Sequence, residues 1–261
     1  MERDYNLYFE LMQNALDEKY KYIAEYLHKN KKIETLVDFG CADGALLRRI
    51  SKDFPNIQLI GIDKPEIVKL YLKNEMAESI ENITFMTEDD FFKTKTGYQN
   101  YGLILSSVLH ELYSTSFIFN FLEDFYENAK VIFIRDMFFT DTQMIAHETM
   151  SFLELDAVKN NVDFYEKFRK QFQFYDHTIS NLEVAEFLMK YPYKRNWENE
   201  LKENYFSVPW HHIHYTLAKD FELQHIRPHM NEFILKRTFD MGFNLYRYTT
   251  TTHIELIFEK K

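Results

Sequence analysis

At 261 residues with a formal net charge of −10 and a pI near 5.5, the chain is long enough for one large domain plus a cap. It is too acidic overall for a broad basic face on duplex nucleic acid, and its many Phe (25) and Tyr (18) against few Gly (6) and Pro (5) exclude a disordered chain in favour of a helix-rich fold. The lone cysteine, Cys41, excludes an internal disulfide; with no apolar run of membrane-spanning length and a polar Met1-Glu2-Arg3-Asp4 start, a cytoplasmic protein without a membrane partner is expected.

The first predicted element is a helix near Tyr5 to His28, from apolar residues at Leu7, Leu11, Ala15, Tyr22, Ile23, Tyr26 and Leu27. The apolar run Thr35-Leu36-Val37-Asp38-Phe39 then leads into Gly40-Cys41-Ala42-Asp43-Gly44, and an apolar-periodic segment starts at Ala45. That pattern reads as a buried strand, a tight loop and a helix. Gly40 and Gly44 let backbone approach a ligand, Ala42 adds almost no bulk, and the helix points its first amides at whatever sits there. Cys41, inside the loop, reads as a small space-filler. A second apolar strand, Ile57 to Asp63, ends in an acid about 20 residues after the loop, where a nucleotide-binding α/β unit places its ribose carboxylate. The spacing alone also suits a nicotinamide cofactor. The fingerprint G-x-G-x-x-G is absent, because Ala42 and Ala45 stand where it needs glycine.

With Asp38, Gly40, Ala42 and Gly44 in the pattern acid-x-Gly-x-Gly-x-Gly, this stretch resembles motif I of the class I S-adenosylmethionine (SAM)-dependent methyltransferases. The middle glycine is replaced by Ala42. The resemblance implies a Rossmann-like α/β fold: a seven-stranded sheet, mostly parallel with an antiparallel last strand, carrying a helical cap. It also implies SAM as cofactor and S-adenosylhomocysteine as product. Gly40, Cys41, Ala42 and Gly44 would surround the methionine portion, Asp38 would set the loop and meet the amino group, and Asp63 would hold the ribose hydroxyls.

Further along, Pro65 opens a helix at a tolerated first-turn position, and a short strand follows at Ile83 to Met86. The family places an acid just after this strand against adenine; Asp89 matches best, and Asp90 is its neighbour. Strand four, Tyr101 to Ser106, precedes Ser107-Val108-Leu109-His110-Glu111-Leu112, which resembles the family's segment facing methyl group and substrate. Ser106 joins the cofactor set. A zinc-protease reading fails, since Ser114 stands where H-E-x-x-H needs its second histidine. On a helix, His110 and Glu111 diverge by about 100°, so one faces the pocket and the other does not. His110 is either a general base or a hydrogen-bonded structural histidine. Strand five, Val131 to Ile134, runs into Arg135 and Asp136, beyond the carboxyl end of a strand, where open α/β sheets bind ligands. Arg135 pairs there with Asp136, with a substrate anion, or structurally. The catalytic candidates are thus His110, Glu111 and Asp136, and the substrate-contacting ones Arg135, Tyr113, Trp210 and His211.

Three regions are expected: a cofactor-binding core over 1–139, a helical cap over 140–219, and closing strands with a short helical insertion over 220–261. The cap holds amphipathic segments at Ser151 to Lys170 and Asn181 to Lys190. Its cations and aromatics, Lys167, Arg169, Lys170, Phe172, Phe174, Tyr175, Tyr191, Tyr193, Lys194, Arg195 and Trp197, form either a base-stacking platform or a solvated helical face. His211, His212 and His214 lack the supporting ligands of a metal site, so no metal is assigned. Phe221 to Ile226 and His253 to Phe258 read as the last two strands, with a helix from Asn231 to Asp240 between them. The DNA N-methyltransferase signature after strand four is absent, because Ser106-Ser107-Val108 occupies it. The expected function is methyl transfer from SAM to a small molecule. The alternatives are an RNA or nucleotide acceptor bound by the cap, and a non-catalytic SAM-binding module. The acceptor atom and the oligomeric state are not legible.

Overall fold

The computed structural model describes residues 15–74, 80–94, 98, 100–111, 115–138, 156–171, 179–206 and 209–261. Tyr113, and the cap residues Phe172, Phe174 and Tyr175, lie outside the described residues.

A seven-stranded sheet has the order β3-β2-β1-β4-β5-β7-β6. Its strands are β1 (Thr35–Phe39), β2 (Gln58–Ile62), β3 (Ile83–Met86), β4 (Tyr101–Ser106), β5 (Ala129–Asp136), β6 (Phe221–His229) and β7 (His253–Lys260). The first five pair in parallel, and β7 enters antiparallel between β5 and β6. β1, β4 and β5 are largely apolar and buried on both faces, as parallel strands covered by helices must be, with the charged Asp38, Arg135 and Asp136 toward their carboxyl ends. Gly102 of β4 lets the strands close up: a Cβ there would lie 2.6 Å from Leu36. β6 is one of the two edge strands, which is why it tolerates Pro228 and alternates between buried and open positions.

Helices α1 (Leu16–Lys29), α2 (Ala45–Asp53), α3 (Pro65–Asn74), α4 (Glu88–Thr94) and α5 (Thr115–Tyr126) accompany the parallel strands. α1 buries Tyr22, Ile23, Tyr26 and Leu27. Tyr22 and Tyr26 set their edges on Phe133 of β5, with centroids 6.2 and 5.2 Å apart. Burying each such side chain contributes about 1.5–3 kcal/mol, so α1 is held firmly against the sheet. Sequence order reverses at β1, which has β2 on one side and β4 on the other. That switch point is where open α/β sheets bind ligands.

Beyond β5 come α6 (Asp156–Lys159), α7 (Val162–Gln171), α8 (Asn181–Lys190) and α9 (Trp197–Glu200), joined in part by the 3-10 turn Tyr191–Asn196. Next are α10 (Trp210–Leu217) and, between β6 and β7, α11 (Glu232–Asp240). The single helix expected over Ser151 to Lys170 is broken at 160–161. A second apolar core joins Phe168, Val184, Phe187, Leu188 and Trp197 to Phe243, Leu245 and Tyr248, so the insertion before β7 packs into the cap. Arg237 of α11 ties the two together by donating to the Met189 carbonyl at 3.0 Å. α10 instead seats Ile213 and Leu217 in the core of the sheet.

One expectation needs correction here. The segment after β4 is not an α-helix but a 3-10 turn, Leu109–Glu111, entered through Ser107 at φ +60°. Of the cap aromatics, Tyr191 and Trp197 are buried in the second core and Tyr193 is half-buried. Lys167 is paired with Glu198 at 2.8 Å and Arg169 with Glu183 at 3.0 Å.

Candidate active site

The loop after β1 turns through three left-handed residues, Gly40 (φ +73°), Ala42 (φ +50°) and Gly44 (φ +65°). Gly44 could not be replaced without movement, since a Cβ would lie 2.5 Å from the Phe85 ring. Backbone amides hold the turn: Gly40 and Cys41 donate to the Ile62 carbonyl, and Gly44 to that of Cys41. Ala42 donates to Asp63 Oδ2 at 2.7 Å, and Lys64 to Asp63 Oδ1 at 2.8 Å. Asp63 therefore props the loop while standing at the end of β2. Burial pushes its carboxyl upward, against the two amides that favour its charge.

A cavity opens at this loop. Asp38, Gly40, Cys41 and Ala42 line it together with Ser106 and Ser107 after β4 and with Leu16 and Lys19 of α1. Asp38 is buried; that burial pushes its carboxyl up to about 7, against the opposing charge of Lys19. Ser106 Oγ is buried and has no hydrogen-bond partner among the described residues. Cys41 fills space as expected: burial pushes its thiol well above the usual range, and its sulfur lies 2.8 Å from where a Cβ on Gly61 would sit.

Beside the cavity, Asp136 at the end of β5 organises the turn after β4. Its Oδ2 accepts the amides of Val108 (2.9 Å) and Leu109 (2.6 Å). Its Oδ1 accepts the Met137 amide (2.7 Å) and meets His110 Nδ1 (2.7 Å). The other ring nitrogen, Nε2, lies 3.9 Å from Glu203 Oε2, outside hydrogen-bond range. The Tyr205 ring stands edge-on to the imidazole, and the Asn204 amide donates to the His110 carbonyl at 2.9 Å. The cap segment thus closes over His110. Burial lowers the ring's basicity, yet Asp136, joined by Glu203 and Glu111, raises its titration to about 9. The reciprocal attraction holds Asp136 low despite its burial.

The remaining sequence candidates fall elsewhere. Glu111 pairs with Lys64 at 3.7 Å, beside Asp63. Arg135 is fully buried and paired with Glu18 of α1 rather than with Asp136. Asp89 and Asp90 are exposed in the first turn of α4, where the Thr87 hydroxyl donates to Asp90 at 2.7 Å. Trp210 and His211 begin α10; the Trp210 ring stacks on His214, and neither residue lines the cavity. Among the described residues no group of three His, Cys, Asp or Glu could hold a metal ion. No described helix is long and apolar enough to cross a membrane.

Sequence reasoning missed Lys19 and Glu203. Lys19 carried a signal, being a cation on the apolar stripe of α1 between Ala15 and Tyr22. Glu203 carried none, lying 93 positions (203 − 110) from the histidine it approaches.

A family profile described as an O-methyltransferase domain matches residues 2–166, more than half of the chain. The chain belongs to the O-methyltransferase domain family. Its fold agrees with that of the class I SAM-dependent methyltransferases. A curated relative, cephaeline 6'-O-methyltransferase from Carapichea ipecacuanha, is 32% identical over 102 residues, which are 39% of this chain and 25% of the relative. An O-methyltransferase family protein from Burkholderia thailandensis superposes with a TM-score of 0.51 at 12% identity, covering 96% of this chain and 56% of that one. Magnesium protoporphyrin IX methyltransferase from Synechocystis PCC 6803, solved with SAH bound, also gives 0.51 at 12% identity, covering 96% and 84%. The match spans about a quarter of the curated relative's length and little over half of the Burkholderia protein.

The residues present fit SAM. Asp38 and Asp43 line the cavity and suit an ammonium and a sulfonium, the left-handed loop brings backbone close, and Ser106 offers a buried hydroxyl with no partner among the described residues.

Proposed function

We propose that this chain is an SAM-dependent O-methyltransferase acting on a hydroxyl group of a small molecule, with His110 as general base. The observation that carries this reading is the buried Asp136–His110 pair: Nδ1 is committed at 2.7 Å, leaving Nε2 to take the acceptor's proton once the ring, which titrates near 9, has given up its own, so transfer should rise with pH toward about 9. Bound SAM supplies an electrophilic methyl group on its sulfonium. A hydroxyl acceptor is a poor nucleophile until its proton leaves, so an oxygen substrate gives this pair a task. Asp136 fixes the ring's tautomer and orientation and stabilises the imidazolium once the proton arrives. Asp38, the 40–44 loop and Asp63 hold the cofactor, and Asp89 is the group offered to adenine. Placement of donor and acceptor supplies much of the remaining acceleration.

The family match supports an oxygen acceptor, and the curated relative is named for O-methylation of cephaeline. The net charge of −10 and the buried aromatics of the cap favour a small molecule over RNA. The test is His110→Gln. SAM affinity by calorimetry should stay within about twofold, while methyl transfer falls by roughly 10²–10⁴. Transfer at the wild-type rate would refute the base assignment.

A further inference from the structure

Most of the backbone donors of the loop that surrounds the cofactor are already committed. The amides of Gly40 and Cys41 go to Ile62, that of Gly44 to Cys41, that of Ala42 to Asp63, and that of Ala45 to Asp43. The methionine portion of SAM carries an α-carboxylate as well as an α-ammonium. An anion in a partly enclosed cavity needs a cation or strong donors. The acidic groups Asp38 and Asp43 suit the ammonium and sulfonium, and they repel the carboxylate. Among the described residues lining the cavity, the one cation is Lys19, contributed by α1.

We infer that Lys19 binds the α-carboxylate of SAM, which makes α1 a working part of the cofactor site and not only a cover for the sheet. The inference rests on SAM being the ligand of this cavity. The adjacent residue explains how the lysine is held in position. Glu18 meets the buried Arg135 guanidinium of β5 and accepts from Asn231 Nδ2 at 2.8 Å, with His229 Nε2 at 3.4 Å. Further along α1, Tyr20 bonds Asp53 of α2, and the Arg49 guanidinium lies 4.4 Å over the Tyr20 ring. The helix is therefore pinned on both sides of Lys19, and ordering that side chain on a ligand costs little beyond its own rotamers. Lys19 in turn feels Asp38, Asp136 and Asp43 in the same charged neighbourhood.

The test compares SAM with decarboxylated SAM, which keeps the ammonium, sulfonium and adenosine and lacks only the carboxylate. Binding is measured by calorimetry on the full chain and on Lys19→Gln and Lys19→Arg. Wild type should prefer SAM by about tenfold or more, the scale of one charge-assisted contact. Lys19→Gln should lose that preference by weakening SAM while leaving decarboxylated SAM within about twofold, and Lys19→Arg should restore part of it. Equal weakening of both ligands, or no change in either, overturns the inference and leaves Lys19 as a counter-ion of Asp38. Absence of binding of either ligand to wild type would instead overturn the cofactor reading itself, and this inference with it.

Discussion

Asp136→Asn separates two tasks of one carboxylate, holding the turn after β4 and keeping His110 charged. Four donors converge on it at 2.6–2.9 Å, three of them backbone amides and the fourth His110. Asparagine preserves the shape but presents an oxygen on one side only. Its amide group must then face the Val108 and Leu109 amides, or the Met137 amide and the imidazole. Loss of hydrogen bonds to a charged acceptor costs about 1.5–3 kcal/mol. The charge term adds a pH dependence. In the native protein His110 titrates near 9, above its ordinary 6.5. Its ionic contribution to stability is therefore complete below 6.5 and is lost as the pH rises through about 9. The difference between those two titrations corresponds to about 3 kcal/mol. Asp136→Asn should thus destabilise the fold by about 3 kcal/mol more at pH about 6 than at pH about 10. Urea unfolding at both pH values measures this, and an NMR titration of the ring should show its midpoint falling to or below the ordinary value. Equal destabilisation at the two pH values, or a ring still titrating near 9 in the variant, would refute the pairing argument.

Asp63→Ala removes the acceptor of the Ala42 and Lys64 amides and should weaken SAM binding about 10–100-fold, read by calorimetry; unchanged affinity in a folded variant would remove Asp63 from the site. Lys190 donates to the carbonyls of Glu200 and Glu203 at 2.7 Å each and lies 3.6 Å from the buried Glu186. Lys190→Met should cost about 3–5 kcal/mol in denaturant unfolding, because it strands a buried carboxylate and frees the segment that carries Glu203. SAM affinity should itself depend on pH. It should fall below about 7 as Asp38 becomes protonated, and fall again above about 8, where Lys19, pushed down by burial and by Arg135, loses its charge. A flat profile of affinity against pH would contradict both roles.

The cofactor half was legible because its signals are local. Apolar strands ending in Asp38 and Asp63 and the small residues of the 40–44 loop fix strand, turn and helix by period and sterics alone. Strand boundaries differ from expectation by a few residues; β5 and β6 run further than their apolar runs because pairing with β7 continues past them. The turn holding His110 was misread as an α-helix because its geometry is imposed from β5, where Asp136 takes the amides of Val108 and Leu109. Arg135 looked available for a ligand, but Glu18, 117 positions away, neutralises it. The burial of two cap aromatics was hidden for a related reason. Trp197 and Tyr191 read as surface aromatics beside lysines, yet they pack into a core completed by Phe243 and Leu245 from the other side of β6. Such partners share no sequence window, so periodicity cannot reveal them.

The central claim is methyl transfer to a small-molecule hydroxyl, and a label-transfer assay addresses it directly. The protein would be incubated with methyl-labelled SAM and a cell extract, then small-molecule, RNA, DNA and protein fractions separated and the labelled bond identified. The account predicts label in the small-molecule fraction, as a methyl ether or ester, lost in the His110→Gln variant. Label in RNA or protein, or SAM binding with no transfer in any fraction, would contradict it.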